Sequence, residues 1–197
     1  MKFLRFLGHE YFLGSLIAIL SVLTAAASFQ GSMADSKQNE NEILGMQKLN
    51  DGNAEYLSAN QFIVYDFTMY DGWYTTDDEA KAAYYEESYS EQLMASIEAN
   101  PEDPFNQDYY DAMYAEAYDL WDVSDTSFEL ASQYDTLGDN LQFVMLLMAL
   151  GLAFAAWGSL LKEESNLRML FAIASFIVLI WGLISYLPLL SMVIAMG

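Results

Sequence analysis

The sequence predicts an all-α integral membrane protein with three transmembrane helices and an acidic helical ectodomain. Three observations carry this. Residues 141–161 and 169–187 contain no charged side chain, and only 162–168 join them. At 1.5 Å per residue the first of these runs measures about 31 Å, the thickness of a bilayer hydrocarbon core. A third apolar run, 11–29, stands near the N-terminus. Between the first run and the other two, residues 29–140 hold 25 of the 28 acidic side chains against three lysines, Lys37, Lys48 and Lys81, a formal charge of −22. Peptide groups in lipid must be satisfied within their own segment, so each apolar run is expected to be a helix, and the last two to form an antiparallel hairpin.

The expected layout follows. Residues 1–10 form a cytoplasmic N-terminus and 11–29 the first span. Residues 30–140 form an extracytoplasmic, Tyr-rich helical domain. Residues 141–161 form the second span, 162–168 a cytoplasmic loop, 169–190 the third span and 191–197 an extracytoplasmic C-terminus. The orientation rests on Lys2 and Arg5 before the first span and on Lys162 and Arg168 beside the loop, since basic residues stay on the cytoplasmic side. The basic start and Ala25-Ala26-Ala27 also fit a cleaved secretory signal. A run of 19 residues is long enough to span, however, and its small residues suit helix contact, so an uncleaved span is the preferred reading.

No proline interrupts 31–67, which favours a long helix continuing the first span. Phe29, Ser36, Ile43, Asn50, Leu57 and Val64 recur every seven residues and are taken as its packing stripe, with the helix ending near Phe67. Asp71-Gly72-Trp73 reads as a turn. Thr76-Asp77-Asp78-Glu79 matches a capping box that starts a helix over 77–99. Asn100-Pro101 ends that helix, and Asp103-Pro104 starts the next. From there Tyr110, Met113, Ala117, Trp121, Ser124, Phe128, Ala131 and Tyr134 follow helical spacing, and no proline separates them from the second span.

Several chemistries are excluded or disfavoured. The chain has no cysteine, and its single histidine is His9, so thiol, Ser-His-Asp and His-based zinc sites are not expected. The strong negative charge repels nucleic acid. Asp77, Asp78, Glu79, Glu102 and Asp103 are explained by capping and solvation, leaving weak, non-specific cation association and no metal or cofactor site. No catalytic residue is assigned. Two groups are candidates for contact instead. Gly151, Ala155 and Ser159, four apart, form a small-residue face for helix packing in lipid. Tyr110, Tyr114 and Tyr118 share one helix face as a candidate interaction surface, with the filling of a small helical core as the plainer reading.

A first span ending in Thr24-Ala25-Ala26-Ala27-Ser28-Phe29-Gln30-Gly31, a helical polar segment, and Gly138-Asp139-Asn140 opening a two-span hairpin together resemble a loose group of three-span bacterial membrane proteins without assigned function. The resemblance implies a multi-pass protein of the bacterial cytoplasmic (inner) membrane and carries no catalytic residue. The function expected from the residues is a non-enzymatic, membrane-anchored scaffold or interaction subunit. Its partners would be the lipid bilayer and either itself or another membrane protein, in an oligomeric complex. The alternative is a channel or transport-associated subunit whose acidic vestibule concentrates cations. The uncharged spans argue against an ion path within one chain.

The topology yields the first prediction. A cysteine at Ser88 should react with an impermeant thiol reagent in intact cells, and one at Ser165 should not. The reverse labelling would invert the orientation.

Overall fold

The computed structural model of the protein describes residues 9–196, with side chains through 194. The expected segments 1–10 and 191–197 therefore fall partly outside the described residues. Five helices follow in order: α1 (Glu10–Thr75), α2 (Glu79–Glu86), α3 (Glu91–Ala99), α4 (Gln107–Leu160) and α5 (Asn166–Met196). The described residues contain no strand, so the class is all-α, and α1, α4 and α5 are long and apolar enough to cross a membrane. Contacts divide the chain into two compact units, Met1–Glu40 with Leu130–Gly197, and Asn41–Glu129.

In the first unit the core is aliphatic. Leu13, Leu16 and Leu20 of α1 pack with Leu141, Val144 and Met148 of α4 and with Ala172 and Leu179 of α5. Small residues set the helix spacing. A Cβ at Gly151 would lie 3.1 Å from Leu20 and 3.3 Å from Val178, and one at Gly182 would lie 2.6 Å from the Met148 methyl. Polar contacts also cross between helices. The Ser175 hydroxyl donates to the Gly151 carbonyl at 2.8 Å, and the Tyr186 hydroxyl donates to Gln30 Oε1 at 2.7 Å. In an apolar setting such bonds fix register, because a slipped helix leaves both groups unpaired. At the hairpin loop the Arg168 guanidinium donates to the Leu161 carbonyl at 2.7 Å, satisfying a carbonyl just past the end of α4.

In the second unit α1 and α4 contribute antiparallel stretches, and the buried face of α1 differs from the expected one. Gly45, Gly52, Ala59, Ile63 and Asp66 are buried, whereas Ile43, Leu57 and Val64 are 58%, 62% and 65% exposed. The period of seven is right and the face is opposite. The reason is the partner. Along α4 the inward residues are Ala117, Ser124 and Ser127, flanked by Trp121 and Phe128, and these large rings need a bare backbone to lie against. A Cβ at Gly45 would meet Phe128 at 2.9 Å, and one at Gly52 would meet Trp121 at 2.6 Å and the Ala117 carbonyl at 3.2 Å. The buried Ser124 hydroxyl donates to the Gly45 carbonyl at 2.8 Å. Each helical glycine costs about 1 kcal/mol relative to alanine, which ring packing at this distance offsets. The spacing assigned to α4 agrees with its burial.

The middle of the chain also departs from expectation. Helix α1 continues through Asp71-Gly72-Trp73 to Thr75, and Gly72 faces the Tyr85 ring, where a Cβ would lie 2.6 Å away. The N-cap of α2 is Asp78, accepting from the Ala80 and Lys81 amides at 3.0 and 3.3 Å, while Thr76 accepts from the Asp78 amide at 3.3 Å. The helix expected over 77–99 breaks at 87–90. There Ser90 adopts an extended conformation and caps α3, its hydroxyl accepting from the Leu93 amide at 3.1 Å. Asn106, rather than Asp103, receives the Tyr109 amide at 3.2 Å where α4 starts.

Replacing Gly52 by leucine tests the ring packing. Leucine improves helix propensity, so any loss must come from Trp121 and Ala117. Gly52→Leu should lower stability by about 1–3 kcal/mol, and Asn53→Leu on the exposed face should change it by less than about 0.5 kcal/mol, both read from thermal unfolding followed by circular dichroism.

A candidate binding site in the aromatic unit

The unit Asn41–Glu129 is organised around one carboxylate. Asp66 of α1 is fully buried. Its Oδ1 accepts the Ser90 amide at 2.9 Å, and its Oδ2 accepts the Ser90 hydroxyl at 2.5 Å and the Tyr109 hydroxyl at 2.8 Å. A buried carboxylate needs either a cation or several donors. Here it has three donors, and Ser90 also caps α3, which places the charge at the positive end of that helix. Asp66 thereby ties the end of α1 to the starts of α3 and α4.

Aromatic rings surround this hub. Phe105 stacks on Phe67 at 4.0 Å and meets Tyr70 and Tyr109 edge-on at 5.3 and 5.2 Å. Tyr70 also packs against Trp73 at 5.5 Å and Tyr89 at 6.2 Å. Burial, together with the bond to Asp66, pushes the Tyr109 hydroxyl far above the ordinary tyrosine range. Burial first, and the nearby Glu86 charge second, push Tyr89 up to about 12. Unlike Tyr109, the Tyr89 hydroxyl is enclosed and has no hydrogen-bond partner, and the Trp121 Nε1 is in the same condition.

The tyrosines singled out in the sequence occupy three environments. Tyr110 is half-buried with its ring 5.3 Å from Tyr109. Tyr114 is half-buried, stacks on Tyr56 at 4.8 Å and donates to Asn60 Oδ1 at 2.9 Å. Tyr118 is about half exposed, between Tyr114 and Trp121 at 6.0 and 5.8 Å. In the other unit Gly151 and Ala155 are buried, while Ser159 is exposed and donates to the Ala156 carbonyl.

Two cavities open beside the hub. One of about 600 Å³ lies between α3 and the start of α4, lined by polar groups that include Glu91, Gln92, Asn106 and Asp108. The other, about 310 Å³, has a largely apolar wall formed by Tyr70, Trp73, Tyr89, Met94 and Ile97, with Glu86 beside them. Neither wall contains a basic side chain. Among the described residues no three His, Asp or Glu side chains are placed to hold a metal ion. The arrangement supplies hydrogen-bond acceptors and aromatic ring faces.

In the sequence Trp73 reads as part of a turn and Tyr89 as one of many tyrosines, and neither Asp66 nor Ser90 stands out. One signal was available: Gly45, Gly52, Ala59 and Asp66 are seven apart, so a carboxylate continues a row of small, packable residues. Compared with protein-family models, curated proteins and solved structures, the chain matches none.

The two tyrosines should respond differently to loss of the hydroxyl. Tyr109→Phe leaves the buried carboxylate one donor short and should cost about 1–3 kcal/mol at pH 7. Tyr89→Phe removes an unpaired hydroxyl and should be neutral or stabilising. Both folded-state values lie above the unfolded value near 10, so the folded state holds these protons more tightly and stability falls as pH rises from about 10 through the folded values. Denaturant unfolding of the two variants between pH 7 and 11.5 should show a shallower alkaline loss than in the parent.

Proposed function

We propose that the chain is a multi-pass protein of a bacterial cytoplasmic membrane, related to the three-span group by its layout. Its N-terminus lies inside and its acidic unit outside, serving as a non-enzymatic interaction subunit of an oligomeric complex. The carrying observation is the face of α1 turned away from α4. Ile43, Leu57 and Val64 form an exposed row at heptad spacing, interrupted by the exposed Asn50 and joined by Met46, in a unit that holds 21 acids and two lysines. Exposed apolar groups lower solubility, and a row that recurs every seven residues, about two helical turns, suits a partner helix. Membrane insertion is supported by the length and apolar character of α1, α4 and α5, and orientation by Lys2, Arg5, Lys162 and Arg168.

The test is the mass of the complex extracted from native membrane after mild cross-linking, for the parent and for a triple variant Ile43→Ser, Leu57→Ser, Val64→Ser. The parent should migrate as a defined assembly and the variant as the single chain, with helix content unchanged. A variant that keeps the parent assembly would remove the row from the interface. A closed homo-oligomer of the parent would bring the channel-associated reading forward, and a defined heteromer would favour the scaffold.

A further inference from the structure

We infer that the 310 Å³ cavity beside Trp73 is a binding site for a small soluble cation bearing an alkylated ammonium group. The proposal goes beyond the interaction reading and rests on Asn41–Glu129 alone. Three features of the cavity agree. Its wall presents the rings of Tyr70, Trp73 and Tyr89, with Tyr70 in contact with the other two at 5.5 and 6.2 Å. Aromatic faces carry negative potential and attract cations, tryptophan most strongly, and the attraction is largest where water is excluded. Glu86, exposed at the end of α2, lines the same cavity and supplies a full negative charge, with no lysine or arginine in the wall to neutralise it. The volume sits at the low end of ligand sites, which suits a ligand of a few heavy atoms.

The wall also selects the form of the cation. A primary ammonium has three N–H donors and needs acceptors for each, whereas this wall is largely apolar and offers one carboxylate. A quaternary or highly alkylated ammonium has few or no N–H groups to satisfy, and its methyl groups fit against rings, Met94 and Ile97 without penalty. Tyr89, more than nine-tenths buried, gives this wall a fixed side. The surrounding unit, with two lysines against 21 acids, raises the local concentration of any cation before it docks.

The experiment is a fluorescence titration of the full-length protein in a maltoside detergent with tetramethylammonium chloride, against ammonium chloride at equal ionic strength. Tetramethylammonium should give a saturable change that Trp73→Phe removes, and ammonium should not. Glu86→Gln, an exposed change at a helix end, should weaken binding by tenfold or more while leaving the unfolding midpoint in place. A linear response, an equal response to ammonium, or unchanged affinity in Glu86→Gln would overturn the proposal. Phosphatidylcholine added to the micelles should not compete. Displacement by it would assign the site to a lipid headgroup and overturn the soluble source.

Discussion

The closeness of α1 to α4 in the acidic unit is the constraint on which its other features depend. At Gly45 and Gly52 the backbone of α1 is bare, and the rings of Phe128 and Trp121 occupy the space a side chain would take. A helix that packs through glycine buries little apolar area of its own, so most of the area comes from the partner's rings. The larger side chains of α1 cannot share that face without forcing the helices apart. They are therefore displaced to the far side, where Ile43, Leu57 and Val64 stand in solvent. The packed seam and the exposed row are two consequences of one choice, since a residue on one face of a helix is lost to the other.

Asp66 extends the same row by one more period and changes its chemistry. Where glycine admits a ring, the carboxylate gathers three donors from two other elements. The unit is strongly acidic, yet the charge with most structural effect is the one removed from solvent. Exposed acids repel one another and are screened within about 10 Å at ordinary salt. Asp66 instead has fixed partners, and it joins the end of α1 to the starts of α3 and α4. Lys37 pairs with Glu40 and Lys48 with Asp51, each three residues apart on one helix, where such pairs add little.

Much of the fold was legible in the sequence, and the parts that were not share a cause. Charge-free length marked the apolar segments, and the missing prolines marked α1 and α4 as unbroken. On α4 the packed face was readable because it carries conventional core residues such as Met113, Trp121 and Phe128. On α1 the same reasoning selected the larger side chains and so chose the solvent face. Hydrophobicity identifies a core face only when burial is supplied by that face's own side chains, and at Gly45 and Gly52 it is supplied from across the interface. The site was hidden for a related reason. Asp66 looked like one acid among many, and its role depends on Ser90 and Tyr109, which lie 24 and 43 residues away. The break at 87–90 was obscured by good helix formers on both sides, and it is Ser90's bond to Asp66 that holds it open.

Separation along the chain also has a temporal meaning. The Ser124–Gly45 bond joins residues 79 apart, and the Tyr186–Gln30 bond joins residues 156 apart. At roughly 5–20 residues per second, a ribosome that has completed Gly45 needs on the order of 4–16 s to reach Ser124, and about 8–31 s separate Gln30 from Tyr186. Through that interval α1 has neither its ring partners nor its hydroxyl partner, and both of its faces are open at once.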